Sequence, residues 1–528
     1  MTTEAPDRVT GRWTLLLVCT AMFMLLLDVT IVSVALGDIQ REFHAGLADL
    51  QWVLDAYTLP LAGVLLTAAT VSDRVGRRRV FLAGLAVFTL GSLACALAWS
   101  PLALDVTRAV QGLGGALLFG TALPLVAAAF PEPRRRASAI GAFGATIAAA
   151  TAVGPLVGGA LVAGPGWRWI FLVNVPVGVV ALVAGLLRLR ESRAPRPRRA
   201  DWPGTALLTA GLFAVLYGLV RGNADGWTSA PVLGCFAAGA VLVAGFVVRE
   251  ATAREPMLDL GLFRSRSFTG VVVAVLVMSA GLVGATPYLA LYVQNTLGYS
   301  AFGSGLRFLP LSVTAFVAAP LVARLGGRVP VRVMVAASLA VTGGGLLALA
   351  HLDAGSGWTT LVVGFVLAGL GMGASSAVTS QAAVTAVEPA RAGMATGAVN
   401  TMRQVGVSAG VAVLGALFQH RVTDAATGEL AGRVPATHLR AVADAVGGGA
   451  GARVAAAVPA PVRAAVAEAA RAATASGMNA VLLAGGLATV AAALVALVLI
   501  RPPRPPRQAA AAGGDVVAGA TERVTVGS

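Results

Sequence analysis

The stretch LLLDVTIVSVAL, residues 25–36, is an apolar run that contains one carboxylate, Asp28. It ends a longer apolar run that begins near Trp13, and the whole run can cross about 30 Å of hydrocarbon as a helix. The run is too long for a signal-peptide core and lacks a small-residue cleavage site, so we expect it to be retained. Because an ionised side chain in hydrocarbon costs roughly 2.5–3.5 kcal/mol, the stretch predicts a membrane helix whose acid has a function.

Composition extends this interpretation to the whole chain. Of 528 residues, 57% are hydrophobic and 12% are charged, and the mean hydropathy is +0.81. A soluble protein would usually be about a quarter charged. The apolar runs are continuous rather than alternating, which predicts helices and not a barrel. They begin near residues 13, 51, 80, 102, 138, 169, 203, 231, 268, 303, 331, 358, 394 and 478. The predicted fold is an all-α multi-pass membrane protein with fourteen transmembrane helices.

Arginine placement predicts the orientation in the membrane. The net charge is +15, and all 39 basic residues are arginine. Arginines cluster in the loops that follow even-numbered spans, so the positive-inside rule puts these loops and both termini in the cytoplasm of a cell membrane. Without lysine the chain has no P-loop lysine for ATP and no amine for Schiff-base chemistry. We expect the arginines to contact lipid head groups and not nucleic acid.

Two breaks divide the chain. The Pro/Arg-rich stretch RLRESRAPRPRRADW, residues 188–202, separates six spans from the rest, and a second break, residues 249–267, precedes the last six. Two six-span halves around a central site are a recurring transporter plan. The predicted organisation is a cytoplasmic tail (1–12), a six-helix bundle (13–187), a linker with two extra helices (188–267), a second six-helix bundle (268–500) with a long outer loop (419–477), and a disordered cytoplasmic tail (501–528).

Asp28 and Arg108 are the first candidate functional residues. Desolvation disfavours a charged carboxylate and a nearby cation favours it, so an acid in a changing environment can load and release a proton. The alternative is an acid that caps a helix or pairs for packing alone. Arg108 lies in LALDVTRAVQGLGGALLFG, residues 102–120, with Gln111 one turn on. It stays charged when buried, and either tunes a titrating acid or pairs locally with Asp105, three residues back.

Glycine and proline mark further candidates. Gly112 follows Gln111 and allows close approach of a neighbouring helix. The stretch TAVGPLVGGALVAG, residues 151–164, places four such residues within two turns. They predict a packing kink or, in a functional interpretation, a hinge or seal where the two halves move. These residues are Gly154, Pro155, Gly158 and Gly159.

Three other sites carry charge near or inside the membrane. The loop SDRVGRRRV, residues 72–80, fits a tight turn at Gly76, with Asp73 and Arg77 placed to form a salt bridge that breaks between conformations or to act as a topology signal. Asp55 is either a solvated interfacial residue or a group that handles protons or cations. Arg403, beside Gln404, is either a polar gate or a polar contact between helices.

Together these stretches resemble the major facilitator superfamily, in particular its fourteen-span drug:proton antiporter branch. The resemblance rests on LLLDVTIVSVAL, SDRVGRRR, RAVQGLGGA, VGPLVGG, WRWIFLVNVPVG (167–178) and GMATGAVNTMRQVGVSAG (393–410), in order over residues 13–500. It implies that Asp28 carries the proton and that Arg108 takes part in its transfer. The chain departs from the branch at Ala69 and Val71 in the loop motif and at Ser33 in the first span.

The resemblance implies a proton-coupled exporter of hydrophobic or amphiphilic small molecules, driven by the proton motive force without a cofactor, and acting as a monomer. The carboxyl-terminal spans lack the acids that some relatives use for cationic drugs, which favours neutral, zwitterionic or anionic compounds. A dedicated exporter of one metabolite and an importer share these features. A membrane receptor or an intramembrane enzyme is disfavoured, because the sequence shows no soluble domain, metal-ligand spacing or nucleophile–base pair.

Overall fold

The structure is a computed structural model that describes residues 8–193, 200–325, 328–385, 387, 392–458 and 460–500. Residues 194–199 of the predicted linker, the tail 501–528 and the first seven residues of the predicted tail 1–12 lie outside this part of the chain. Apart from the bridge residues Val329, Ala431 and Val434, the described residues are helical or irregular.

The helices are α1 (Arg8–Phe43), α2 (Leu47–Val75), α3 (Arg77–Ala96), α4 (Pro101–Ala129), α5 (Pro133–Ala163), α6 (Trp169–Leu172), α7 (Asn174–Arg188), α8 (Trp202–Asp225), α9 (Ala230–Thr252), α10 (Arg266–Met278), α11 (Gly284–Leu291), α12 (Ala301–Arg307), α13 (Leu309–Ala323), α14 (Val331–Leu349), α15 (Val362–Thr385), α16 (Ala392–Leu430), α17 (Ala436–Ala445), α18 (Gly451–Ala457) and α19 (Ala460–Leu499). One-turn π-helical segments, Ser279–Val283 and Tyr292–Thr296, flank α11 and continue the span that α10 begins.

Thirteen spans in the described chain are long and apolar enough to cross a membrane, and the pair α12 and α13, bent by 40°, makes a fourteenth when it is counted as one span. The predicted number is therefore confirmed. Helices extend into both ends of the predicted loop 419–477, because α16 continues to Leu430 and α19 begins at Ala460. The segment between α16 and α19 is therefore residues 431–459, shorter than the predicted loop, and it contains α17 and α18.

Local chemistry fixes where several helices begin. Ser100 accepts a hydrogen bond from the backbone N–H of Ala103 (3.2 Å), and Asp201 accepts one from Gly204 (3.0 Å). These oxygens satisfy amide groups that the first turn of a helix leaves free. Both caps are followed within two residues by proline, which fits the first helical turn because its missing N–H is not needed there.

Two bundles meet along a seam. We call α1–α7 the amino-terminal bundle and α10–α19 the carboxyl-terminal bundle, and the seam is where α2 and α5 meet α16 and α12. The core of the amino-terminal bundle includes Leu25, Phe81 and Phe88, all buried. A further buried cluster crosses the seam and includes Leu36 of α1 and Val293 after α11.

The two extra helices lie beside the seam. On α8, Asn223 donates a hydrogen bond to the carbonyl oxygen of Ala416 in α16 (2.8 Å), and Thr209 packs at Gly63 of α2. By contrast, α9 packs on α8 and exposes apolar side chains such as Val241 (71%) and Val248 (62%). Such apolar exposure suits hydrocarbon and not water. The chain is a multi-pass membrane protein.

Candidate functional site

A buried polar cluster joins four helices of the amino-terminal bundle. Asp28 of α1 forms an ion pair with Arg108 of α4, and the side chains are 0% and 1% exposed. Gln111 donates a hydrogen bond to Oδ1 of Asp28 (2.9 Å), and its Oε1 accepts one from Arg108 (2.7 Å). The sequence separates these residues by about eighty positions, and the fold brings them together.

Two residues that sequence reasoning missed complete the cluster. Ser92 of α3 accepts a hydrogen bond from Gln111 (2.7 Å), and Asn174 of α7 donates one to Oδ1 of Asp28 (3.3 Å). Asn174 is the asparagine of WRWIFLVNVPVG. Its position as a polar residue inside an apolar run could have identified it as a candidate functional residue. Three donors on its two oxygens hold the Asp28 side chain in place.

The guanidinium of Arg108 has further partners on α2. Its Nε donates to the carbonyl oxygen of Val53 (3.1 Å), and its carbon Cζ lies 4.2 Å from the centroid of the Tyr57 ring. A cation over an aromatic face is stabilised by about 2 kcal/mol when desolvated. Arg108 therefore keeps two hydrogen-bond acceptors and an aromatic contact that do not depend on Asp28.

The local pair between Arg108 and Asp105 does not form. Arg108 pairs with Asp28 instead, and Oδ1 of Asp105 is buried without a hydrogen-bond partner among the described residues. Spacing of three residues permits contact but does not require it. The interpretation of Arg108 as half of a local helix pair was wrong.

Close helix contacts hold the cluster together. A Cβ atom at Gly112 would collide with the carbonyl oxygen of Tyr57, and one at Gly114 would lie 2.5 Å from the amide nitrogen of Phe88. The glycines of α4 thus let α2 and α3 approach its backbone directly. This approach is what brings the carbonyl oxygen of Val53 within reach of Arg108.

Asp55 lies in a second buried position, at the seam. Its residue exposure is 0%, so the interpretation of a solvated interfacial residue was wrong. Neither carboxylate oxygen has a hydrogen-bond partner in the described chain. Its polar neighbour across the seam is Ser408 of α16, whose hydroxyl group contacts that of Thr58. Burial of Asp55 depends on α16, which local sequence does not reveal.

The glycine- and proline-containing segment of α5 lies at the seam. Gly154 packs against the Thr30 side chain, and a Cβ at Gly158 would lie 3.2 Å from Cα of Ile31. On the other face, a Cβ at Gly159 would lie 2.6 Å from the carbonyl oxygen of Ala301 in α12, and the Pro155 carbonyl meets Gly305 of α12. The segment therefore touches both bundles.

The loop between α2 and α3 is tied to the end of α7. Gly76 has φ of 129° and ψ of 127°, a conformation that L side chains rarely adopt. Nε of Arg77 donates to Oδ1 of Asp73 (2.8 Å). Glu191 accepts a hydrogen bond from the backbone N–H of Arg78 (3.0 Å), and the backbone N–H of Arg77 donates to the carbonyl oxygen of Ser192 (2.9 Å). Sequence reasoning placed Glu191 in a linker and missed this anchor.

The two ends of the bundle differ in packing. We call the end with residues 72–80 the basic end and the other the opposite end. At the opposite end, Gln294 donates to the carbonyl oxygen of Val34 (2.8 Å) and Asn295 to Oε1 of Gln40 (3.0 Å), which joins the two bundles. At the basic end, residues 134–136 and 138–145 of α5 are mostly exposed, and nothing lies within 4 Å of a Cβ at Gly141.

Arg403 lies on α16 in the carboxyl-terminal bundle. It is half-buried, its Nε is fully buried without a hydrogen-bond partner, and it forms no ion pair with a described residue. Its environment therefore contrasts with that of Arg108.

A bundle of up to fourteen membrane helices in two parts, with a buried acid–arginine pair and a seam closed at one end, defines the fold of a secondary transporter. Residues 18–411 match the sequence profile of the Major Facilitator Superfamily. The chain belongs to this family.

Relatives and a solved structure agree with this assignment. The chain is 39% identical over 416 residues to the tetracenomycin C resistance and export protein of Streptomyces glaucescens (78% of this chain, 76% of the relative). It is 40% identical over 397 residues to the multidrug resistance protein Stp of Mycobacterium tuberculosis (75% and 74%). In fold it is similar to a bacterial homologue of the human lysosomal transporter Spinster, crystallised inward-facing and unoccupied (TM-score 0.61, 17% identity, 94% of this chain and 100% of that one).

Proposed function

We propose that the chain is a proton-coupled exporter of hydrophobic or amphiphilic small molecules in the cell membrane. The observation that carries the proposal is the buried ion pair of Asp28 and Arg108 within a major facilitator fold. An ionisable residue inside a membrane bundle marks a functional site by default. The names of the relatives, which include an antibiotic export protein and a multidrug resistance protein, support export of toxic compounds.

The cluster suits a carboxyl group that changes its charge. Arg108 stays charged at any physiological pH, whereas Asp28 can be neutralised by a proton. Protonation of Asp28 releases the ion pair, while Arg108 keeps Val53, Gln111 and the Tyr57 ring as partners. The amino-terminal bundle can then tolerate both charge states, which a proton carrier requires.

The end that is open indicates which state of the transport cycle the structure represents. By the positive-inside rule the basic end faces the cytoplasm, with both termini there. The observed closure at the opposite end then corresponds to an inward-facing state, in which a compound enters from the cytoplasm or the inner leaflet. After the seam opens outward, an external proton reaches Asp28 and the compound leaves. A proton that returns inward supplies about 2.3 kcal/mol per 100 mV.

Other residues are assigned to the change of conformation. The contacts of Gly159 and Pro155 with α12 must break when the opposite end opens, so this part of α5 acts as a seal. The pair Asp73–Arg77 beside Gly76 lies at the basic end and is formed in this inward-facing state, and it is assigned as a salt bridge that breaks when the basic end closes. Asp55 at the seam is a second candidate for proton binding, because burial is unfavourable for an ionised acid that forms no ion pair with a described residue.

The proposal assigns partners by chemistry. They are the exported compound, protons and lipid, with no nucleic acid, no cofactor and no enzymatic step, and the chain acts as a monomer. The predicted division into six, two and six helices remains part of the proposal.

Growth of a pump-deficient bacterial host tests the proposal. A host that expresses the chain should tolerate several unrelated hydrophobic toxins better than the empty host, and dissipation of the proton gradient should remove the advantage. Asp28→Asn should lose the advantage at equal expression in the membrane. Greater sensitivity to toxins would indicate an importer. Tolerance to one compound alone would indicate a dedicated exporter. Equal tolerance in hosts that express the wild type and Asp28→Asn would refute the role of Asp28.

A further inference from the structure

A polar stripe runs along α16 in the middle of the membrane. Asn400, Arg403 and Gln404 are spaced three and four residues apart, so their side chains share one face of the helix. All three are partly exposed. Arg403 lies eleven residues from the start of α16 at Ala392, which is about 17 Å along the helix axis. The stripe is therefore at mid-membrane depth.

The packing of α16 shows where this stripe points. Gly406, three residues after Arg403, packs on the backbone of Leu276 in α10. Ser408, four residues after Gln404, meets Thr58 of α2 across the seam. The stripe thus lies between the side of α16 that contacts α10 and the side that contacts α2. Helix α10 belongs to the carboxyl-terminal bundle and α2 to the amino-terminal bundle, and further along a similar face of α16, Gly415 packs against Gln51 of α2 and Tyr288 of α11. The stripe therefore faces the space between the two bundles and not lipid.

Arg403 has no acidic residue near it on its own helix, where the first acids are Asp424 and Glu429. Helices α10–α15 contain neither Asp nor Glu. Arg403 forms no ion pair within the described chain, and the side chains of Asn400 and Gln404 donate no hydrogen bond to a described residue. The acid of the other bundle, Asp28, is already paired.

An arginine without an ion partner at this depth raises the free energy of the protein. Charged residues inside a membrane therefore face one another, a carbonyl group or a water-filled cavity. A guanidinium presents five donors in a planar fork that matches a carboxylate. The neighbouring amides of Asn400 and Gln404 add donors and acceptors on the same face. The arrangement is suited to an acidic group that arrives from outside the chain.

We propose that Arg403, with Asn400 and Gln404, binds the carboxylate of an exported amphiphile, which makes acidic compounds the preferred substrate class. This inference rests on the proposed function, because it takes the space between the bundles as the transport path. Arg403 is then a substrate-binding residue. From the sequence alone, Arg403 is interpreted as a polar gate or as a polar contact between helices. Neither interpretation explains why its guanidinium donors have no partner among the described residues.

Binding of a charge-matched pair of probes tests this assignment. The probes are 1-pyrenebutanoate and its uncharged amide, 1-pyrenebutanamide, measured by fluorescence with purified full-length protein in nanodiscs of zwitterionic lipid, and empty nanodiscs serve as the blank. Loss of a charge-assisted hydrogen bond lowers affinity by roughly 10–100-fold, which corresponds to about 1.4–2.8 kcal/mol. Arg403→Gln should therefore weaken carboxylate binding by roughly 10–100-fold and amide binding by less than about twofold.

Two further variants separate this role from a structural one. Arg403→Lys keeps the charge without the fork and should retain part of the carboxylate preference. Arg307→Gln is the matched control, because Arg307 lies in the same bundle but stacks on Tyr299 at 3.4 Å, away from the stripe. It should bind both probes as the wild type does. Equal losses for both probes in Arg403→Gln, or wild-type binding of the carboxylate, would overturn the assignment.

The binding test does not depend on proton coupling. A wild-type protein that prefers the carboxylate through Arg403 but shows no gradient-driven export would refute the proposed function and leave this inference standing. Proton-driven export with no charge preference would support the proposed function and refute this inference.

Discussion

The ion pair at the centre of the amino-terminal bundle predicts unequal costs for removing its two charges. Asp28→Asn leaves Arg108 buried and charged, and breaking a buried pair in this way typically costs about 3–5 kcal/mol. The remaining contacts of Arg108 with Val53, Gln111 and Tyr57 favour the lower end, about 3 kcal/mol. Arg108→Gln leaves Asp28 with the donors of Gln111 and Asn174, and the acid can take up a proton. That variant should lose only about 1–3 kcal/mol.

The double variant Asp28→Asn/Arg108→Gln should be more stable than Asp28→Asn alone, because it contains no uncompensated charge. A coupling energy of about 0.5–3 kcal/mol is expected for residues in such direct contact. The free energy of unfolding can be measured in mixed micelles by titration with a denaturing detergent, followed by tryptophan fluorescence at pH 7. Additive losses in the double variant, or a larger loss for Arg108→Gln than for Asp28→Asn, would refute the reasoning.

Three other perturbations test the packing and the remaining charges. Gly112→Ala forces a methyl group onto the backbone of α2 and should lower the free energy of unfolding by about 1–3 kcal/mol, whereas Gly141→Ala, which meets open space, should not lower it in the same assay. Asp55→Asn removes a charge from a buried site that offers no ion pair among the described residues, so stability should stay equal or rise by up to about 2 kcal/mol while gradient-driven efflux of a fluorescent toxin falls. Asp73→Asn breaks the partly exposed pair with Arg77 and should cost under about 1 kcal/mol, and a larger loss would contradict a surface pair.

The sequence alone predicted the membrane helices and pointed to individual residues inside them. Continuous apolar runs predicted the number of spans, since each run is as long as the hydrocarbon is thick. Asp28 and Arg108 stood out because charges are rare inside such runs. Gly76 stood out because its turn chemistry is local.

Contacts between distant residues could not be predicted in this way. The partner of Arg108 lies about eighty residues away, so local spacing pointed to Asp105 instead. Burial of Asp55 depends on the approach of α16, and a membrane helix is apolar on the faces that meet lipid as well as on those that meet protein. For the same reason the sequence did not show which space the polar stripe at Arg403 faces, and the packing of Gly406 and Ser408 did.

Proton movement during transport tests the role of Asp28 most directly. Liposomes that contain the protein, loaded with a pH-sensitive dye and held without a pH gradient, are given an exported toxin on one side. If transport is coupled at Asp28, the wild type should move protons against the flow of toxin, and Asp28→Asn should move toxin down its gradient without a pH change. Transport by the wild type with no change in pH, or an equal change in Asp28→Asn, would contradict the account.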